Sequence, residues 1–425
     1  MTQKNTRPLD LIGIGFGPSN LALAVALHER GSRLRTGFLE AKPAFAWHPD
    51  MMLPGTDMQV SFLKDLVSLR NPRSGFSFLS YLHSKGRLSR FINRKTFFPS
   101  REEFNDYLGW IAGQFSNCQY DNRVTGIEPV QTGERVTHLV IHSQSADGTQ
   151  ARHFARNLVL APGGTPHWPE VFEPVRDSGR VIHACSYLSQ FIPKLKPGQR
   201  IAVIGAGQSA AEVFADLEVR AEQPNVDMIM RARAMKPSDD TPFVNEIFDP
   251  VQTDRFHSMS ADARAQALRN LAATNYAVAD ADLIAQIYET LYEQDVRGES
   301  RLALRAETDV RQVQQVDDRI RLHLSGPLGH QTETYDLVVL ATGYRRALEH
   351  SVLADLGAWQ AAEEPGRDYR LPMKDGFEPA IIVQGFSEPT HGLSDTLLSV
   401  LALRSEEIAQ TLETLCQSSS AIAAE

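Results

Sequence analysis

The chain has 425 residues, room for two or three domains with large cores. Hydrophobic residues make up 42% and charged residues 22%, an ordinary soluble balance, and the formal net charge of −9 argues against nucleic acid as a partner. Cys118, Cys185 and Cys416 are too far apart for a disulfide framework or metal motif, the 13 histidines fall in no H-E-x-x-H pattern, and no apolar stretch is long enough to span a bilayer. We therefore expect no metal, no membrane span and a reducing, cytoplasmic setting.

Residues 9–12 form an apolar run that reads as a buried parallel strand, followed by GIGFGPSN (13–20) and a helical pattern from Leu21. A G-x-G-x-x-G match alone is weak; between strand and helix it reads as a dinucleotide fingerprint. In that reading Gly13 permits the tight turn and Gly15 lets the backbone approach a pyrophosphate. Gly17 and Pro18 lead into the helix, whose free N–H groups favour phosphate. Pro18 departs from the motif's third small position, but proline is tolerated in a first helical turn. Glu40 closes a second strand (36–40), at a distance that suits a bond to a ribose hydroxyl. A long insertion follows, around 42–115, and then a strand ending in a glycine turn, RNLVLAPGG (156–164). Residues 166–200 contain several prolines and read as a link.

The pattern then repeats. Residues 201–204 read as a strand, GAGQSA (205–210) as a second fingerprint, and 210–217 as a helix. Gly205, Gly207, Gln208 and Ser209 are its candidate phosphate contacts. Arg231 ends the next apolar run, DMIM (227–230), where an arginine in place of an acid suits a 2′-phosphate and selects NADPH. A loop, DDTPFVNEIF (239–248), leads to helical spacing over 261–296. Strands return at 319–324 and 335–340, the second ending in ATGY (341–344). Residues 393–415 read as one or two amphipathic helices, and 417–425 as a frayed end.

Two fingerprints in one chain imply two cofactors that exchange electrons: FAD at the first and NADPH at the second. The expected fold is α/β, with two Rossmann-like dinucleotide-binding domains and a smaller, mainly helical substrate region. The FAD-binding domain is expected at 1–165, completed by 340–425. The NADPH-binding domain is expected at 166–237, completed by about 301–339, with the helical region at 238–300.

Larger blocks carry a resemblance: GFGPSNL (15–21), FLE (38–40), MQVSFLKDLV (58–67), DDTPFVNE (239–246), TNY (274–276), ATGY (341–344) and HGLSDTLLSV (391–400). Together they resemble the microbial N-hydroxylating flavin monooxygenases, most of all the ornithine N-monooxygenases of hydroxamate siderophore synthesis. The similarity runs from about residue 9 to about residue 408. It implies that NADPH reduces FAD and that reduced FAD and molecular oxygen form a flavin hydroperoxide. The distal oxygen then passes to a neutral primary amine. No catalytic side chain beyond the flavin is implied.

The resemblance also implies roles. Lys64 matches the lysine that pairs with the substrate carboxylate, and Asn245 a side chain at the same end. Asn275 and Ser399 match positions that hold the α-amino group. Gln59, Trp47 and His48 match the flavin side, and Ser209 and Arg231 the NADPH side. L-Ornithine is the first choice of substrate, with a diamine (putrescine or cadaverine) or L-lysine as the alternative. ATGY is commonly followed by histidine or proline where this chain has Glu349, with His350 next, which blurs the substrate assignment. A homo-oligomer, tetramer or dimer, is expected. A Baeyer–Villiger or thioether monooxygenase would carry F-x-G-x-x-x-H-x-x-x-[WY] before Gly205, but that region reads VIHACSY (181–187). A disulfide reductase would need a C-x-x-C pair, which is absent. A non-catalytic flavoprotein of the same fold is the remaining alternative.

Overall fold

The computed structural model describes residues 7–347 and 352–422, with side chains of the last helix described through residue 417. Glu349 and His350 lie outside the described residues. Five helices bear on the site: α1 (Pro18–Glu29), α2 (Arg101–Ala112), α3 (Gln208–Val219), α4 (Ala281–Arg297) and α5 (Leu401–Ile422).

The first sheet has five parallel strands, in the order Ile381–Val383, Leu158–Leu160, Leu11–Ile14, Thr36–Leu39, Cys118–Gln119. Its central strands are unbroken apolar runs because both faces are covered. Helix α1 follows the central strand and buries every residue from Asn20 to Leu27. A helix apolar on all sides needs cover on all sides. The sheet lies on one side of α1 and α5 on the other.

The second sheet repeats the plan, in the order Leu302–Arg305, Asn225–Ile229, Arg200–Ile204, Leu337–Leu340, Val181–His183. The edge strand Val181–His183 corrects the reading of 166–200 as a simple link. Three residues are too few to show a period, so the strand left no signal. Each sheet has an antiparallel three-stranded companion: Arg123–Thr132, Arg135–Gln144 and Gln150–Ala155 for one, Asp309–Val316, Arg319–Gly326 and Gly329–Tyr335 for the other.

The insertion after Glu40 has its own aromatic core, where Phe78, Tyr81, Phe104 and Tyr107 are fully buried. Met51 and Leu53 leave it to join the core of the second sheet with Ile201, Val203 and Val213. Ile287 of α4 enters the same core. Insertion and helical region thus both dock on the second unit, beside its glycine loop. Among the described residues no helix is long and apolar enough to cross a membrane. No group of three or more His, Cys, Asp or Glu among them is placed to hold a metal ion.

Candidate active site

Both glycine loops leave the C-terminal end of a central strand, where open α/β sheets bind ligands. At the first loop Gly15 has φ +81°, and a Cβ there would lie 2.5 Å from the Ala161 carbonyl oxygen. The neighbouring strand's end thus requires a glycine here, whatever its backbone meets on the ligand side. At Gly17, by contrast, a Cβ would meet nothing within 4 Å. Gly17 is the N-cap of α1 and offers no side chain to the helix's first N–H groups, so these remain for an anion.

Side chains fix this loop from below. Glu40 Oε2 accepts the Phe16 N–H at 2.8 Å, and Oε1 accepts the Lys42 N–H at 3.0 Å. Asn20 donates to the carbonyls of Ile14 and Gly15 and accepts from Gln384. Arg404 donates to Ser19 Oγ at 3.0 Å and forms a buried ion pair with Asp395 at 3.0 Å. The network favours one loop geometry, with Gln384 Oε1 and Arg404 Nε left buried without a partner among the described residues.

At the second loop Gly205 has φ +151°, and its Cβ would lie 2.4 Å from the Ala341 carbonyl oxygen. Ala341 follows its strand as Ala161 follows its own, so the same steric device recurs. Ser209 stands in the first turn of α3, and its hydroxyl has no hydrogen bond among the described residues. The Gln208 side chain, expected at the cofactor, is engaged within the chain. Its amide nitrogen donates to Glu212 Oε1 at 2.9 Å and Asp280 Oδ2 at 2.8 Å, and its oxygen accepts the Asp280 N–H at 2.8 Å. Only its backbone is left to meet a phosphate. Arg231 follows the strand Asn225–Ile229, is exposed, and has no ion pair among the described residues. It lies within electrostatic reach of His167, whose pKa is lowered by burial and then by Arg345 and Arg231.

The four expected substrate residues come from four segments. Lys64 is half-buried in the turn after Ser61, and its ammonium has no carboxylate partner among the described residues. The adjacent Asp65 is buried and faces elsewhere. It accepts the N–H groups of Val67, Ser68 and Phe78 and the Ser68 hydroxyl. Burial pushes its pKa up against those hydrogen bonds. Asn245 donates to the Asp240 carbonyl at 2.7 Å, which holds its own turn. Asn275 closes the short turn Ala272–Thr274. Ser399 is 3% exposed, and its hydroxyl is buried with no hydrogen-bond partner among the described residues. No hydrogen bond joins Lys64, Asn245, Asn275 and Ser399 to one another. Neighbours gather the last three: Tyr276 donates to Glu388, and the turn Glu246–Phe248 packs on Leu393–Thr396.

Of the residues expected on the flavin side, Trp47 is half-buried while His48 and Gln59 are exposed. His48 is accessible to solvent yet densely surrounded. That crowding, with Arg101, Lys42 and Arg346 nearby, lowers its pKa to about 4. The Trp47 ring packs edge-on to His48 and to Phe104, and the Trp47 backbone N–H donates to Asn105 Oδ1. Tyr344 of ATGY faces both His48 and His183. Gln59 is exposed and donates to Asp280 Oδ1 at 2.9 Å.

Residues 7–346 match the family described as L-lysine 6-monooxygenase/L-ornithine 5-monooxygenase. The L-ornithine N(5)-monooxygenase of Pseudomonas aeruginosa is 46% identical over 95% of this chain and 93% of its own length. The chain belongs to this family. The ornithine hydroxylase PvdA from P. aeruginosa superposes with a TM-score of 0.93, covering 96% of this chain and all of that one. The Kutzneria ornithine N-hydroxylase KtzI, described in complex with reduced FAD, NADP⁺ and L-ornithine, superposes with a TM-score of 0.91 at 36% identity, covering 96% of this chain and 99% of that one. Its family makes this chain a monooxygenase, and the α/β fold with two dinucleotide loops is the one the sequence implied.

Asp280, Glu212 and Arg101 had not stood out in the sequence. Arg101 grips Glu212 with two hydrogen bonds, at 2.9 and 2.6 Å. Locally, Asp280 reads as a helix cap and Arg101 as a first-turn residue after Ser100. Neither pattern signals a contact 111 or 221 residues away.

Proposed function

We propose that the chain N-hydroxylates the terminal amine of L-ornithine with FAD at the first loop and NADPH at the second, giving a product suited to hydroxamate siderophores. The observation that carries the choice of an amino acid is Lys64. It is a half-buried cation without an acidic partner among the described residues, beside an aspartate already bound by four donors. An α-carboxylate supplies the missing charge; putrescine or cadaverine has none to offer.

Reduced flavin, when bound, supplies the activated oxygen that the amine nitrogen receives. The chain's own residues position and enclose. The open side of Gly17 and the first turn of α1 would receive the flavin pyrophosphate, with Glu40 holding the loop and available to accept from a ribose hydroxyl. Gly205, Gly207 and the free hydroxyl of Ser209 receive the pyrophosphate of NADPH, and exposed Arg231 its 2′-phosphate. Lys64 and the second amide hydrogen of Asn245 hold the carboxylate. Asn275 and the unpartnered hydroxyl of Ser399 hold the α-amino group. Trp47, His48 and Gln59 line the flavin side.

Free cysteines support a cytoplasmic setting. A dimer or tetramer is supported by the outward stripe Tyr288, Tyr292 and Val296 on α4, exposed by 71, 58 and 71%. Steady-state hydroxylamine formation with ornithine, lysine, putrescine and cadaverine tests the reading. Ornithine should be the best substrate; activity on diamines alone would replace it.

A further inference from the structure

Asp280 is the N-cap of α4, the position where aspartate bonds the helix's first N–H groups best. Its carboxylate makes no such bond. Ser77, Ser100 and Ser260 all cap their helices in the expected way. Asp280 Oδ1 instead accepts Gln59 Nε2 at 2.9 Å, and Oδ2 accepts Gln208 Nε2 at 2.8 Å. Its backbone N–H closes a ring by donating to Gln208 Oε1 at 2.8 Å. A carboxylate only accepts, so it compels both glutamines to turn their amide nitrogens toward it. The chain continues from Gln208 to Glu212, which is 4% exposed, and on to Arg101, which also donates to the Met51 carbonyl at 3.0 Å.

One carboxylate therefore joins the flavin-side segment, the first turn of α3 and the start of α4. The segment just before it lies on the second glycine loop: a Cβ on Gly207 would sit 3.5 Å from Ala277 Cα and 3.6 Å from the Val278 carbonyl oxygen. The same short segment carries Asn275. A ligand that orders the start of α3 and a ligand that touches Asn275 thus act on one piece of backbone.

We infer that Asp280 is a positioning residue that couples the nicotinamide loop to the amine site, so that NADP⁺ and amino acid each strengthen the other's binding. The inference rests on the reading that the second loop holds NADPH. The coupling is reciprocal by thermodynamic necessity, and couplings of this kind are about 5- to 150-fold.

The test uses FAD-loaded protein and calorimetric titration of L-ornithine with and without saturating NADP⁺, and of NADP⁺ with and without ornithine. Wild type should show the same enhancement, about fivefold or more, in both directions. Asp280→Asn keeps the shape but lets the amides turn. It should retain flavin and melting temperature, bind each ligand alone to within about threefold, and lose the enhancement. If Asp280→Asn does not fold, Gln208→Met removes the same ring from the other side and should abolish the enhancement. An enhancement that survives in the folded variant overturns the inference, as does its absence from wild type. Wild type that binds ornithine but no NADP⁺ overturns the reading of the second loop, and the inference with it.

Discussion

Replacing Lys64 by alanine separates the substrate classes. In the free protein the ammonium has no carboxylate partner among the described residues, and Asp65 keeps its four donors without it. The substitution therefore strands no buried anion, and the melting temperature should hold. With ornithine bound, the α-carboxylate loses its cation. Removing one partner of a fully buried pair costs about 3–5 kcal/mol. Lys64 is only half-buried, so solvent screens the loss to the range of a charge-assisted hydrogen bond, about 1.5–3 kcal/mol. At about 1.4 kcal/mol per decade, KM for ornithine should rise about 10- to 150-fold. Putrescine has no carboxylate, so its KM should not move. The rate of flavin reduction by NADPH, measured by stopped flow without amine, should also persist. An ornithine KM within twofold of wild type, or equal losses for ornithine and putrescine, would refute the carboxylate clamp.

Gly15→Ala forces a side chain to 2.5 Å from the Ala161 carbonyl oxygen at φ +81° and should yield largely flavin-free protein of lowered stability; normal flavin content would contradict that. Gly17→Ala meets open space, so it should fold normally and lose FAD affinity alone; unchanged flavin dissociation would move the pyrophosphate elsewhere. Arg231→Ala should raise KM for NADPH by about five- to thirtyfold, the low end for a charge-assisted contact because the residue is exposed. KM for NADH should stay put, and equal effects on both would remove Arg231 from the role. Burial lowers the pKa of His183 from 6.5 to about 4, against its bond with the Gly343 carbonyl. Its folded pKa lies below the unfolded one, so its stabilising contribution is complete above pH 6.5 and is lost as pH falls toward 4. His183→Gln should reduce the drop in urea midpoint between pH 7 and pH 5; an unchanged drop would rule His183 out.

The sequence showed whatever has a period or a steric signature. Buried strands such as 201–204 and the glycine turns after them are short-range patterns, and both sheets could be read from them. The strand Val181–His183 could not, since three residues carry no period and its partner lies over 150 residues away. Gly15 was legible as a glycine position, but the steric demand of the Ala161 carbonyl was not, because it comes from the end of a distant strand. The substrate residues were legible only through resemblance: a lone lysine or asparagine has no local pattern. Gln208 illustrates the limit. Its place in the fingerprint suggested the cofactor, while Asp280 and Glu212, distant or unremarkable in sequence, had claimed its side chain.

The most direct measurement is the ratio of hydroxylamine formed to NADPH consumed by the FAD-loaded enzyme with L-ornithine in air-saturated buffer. The account predicts a ratio close to one, falling with lysine and falling further with the diamines. NADPH oxidation that yields only hydrogen peroxide with all four amines would contradict it.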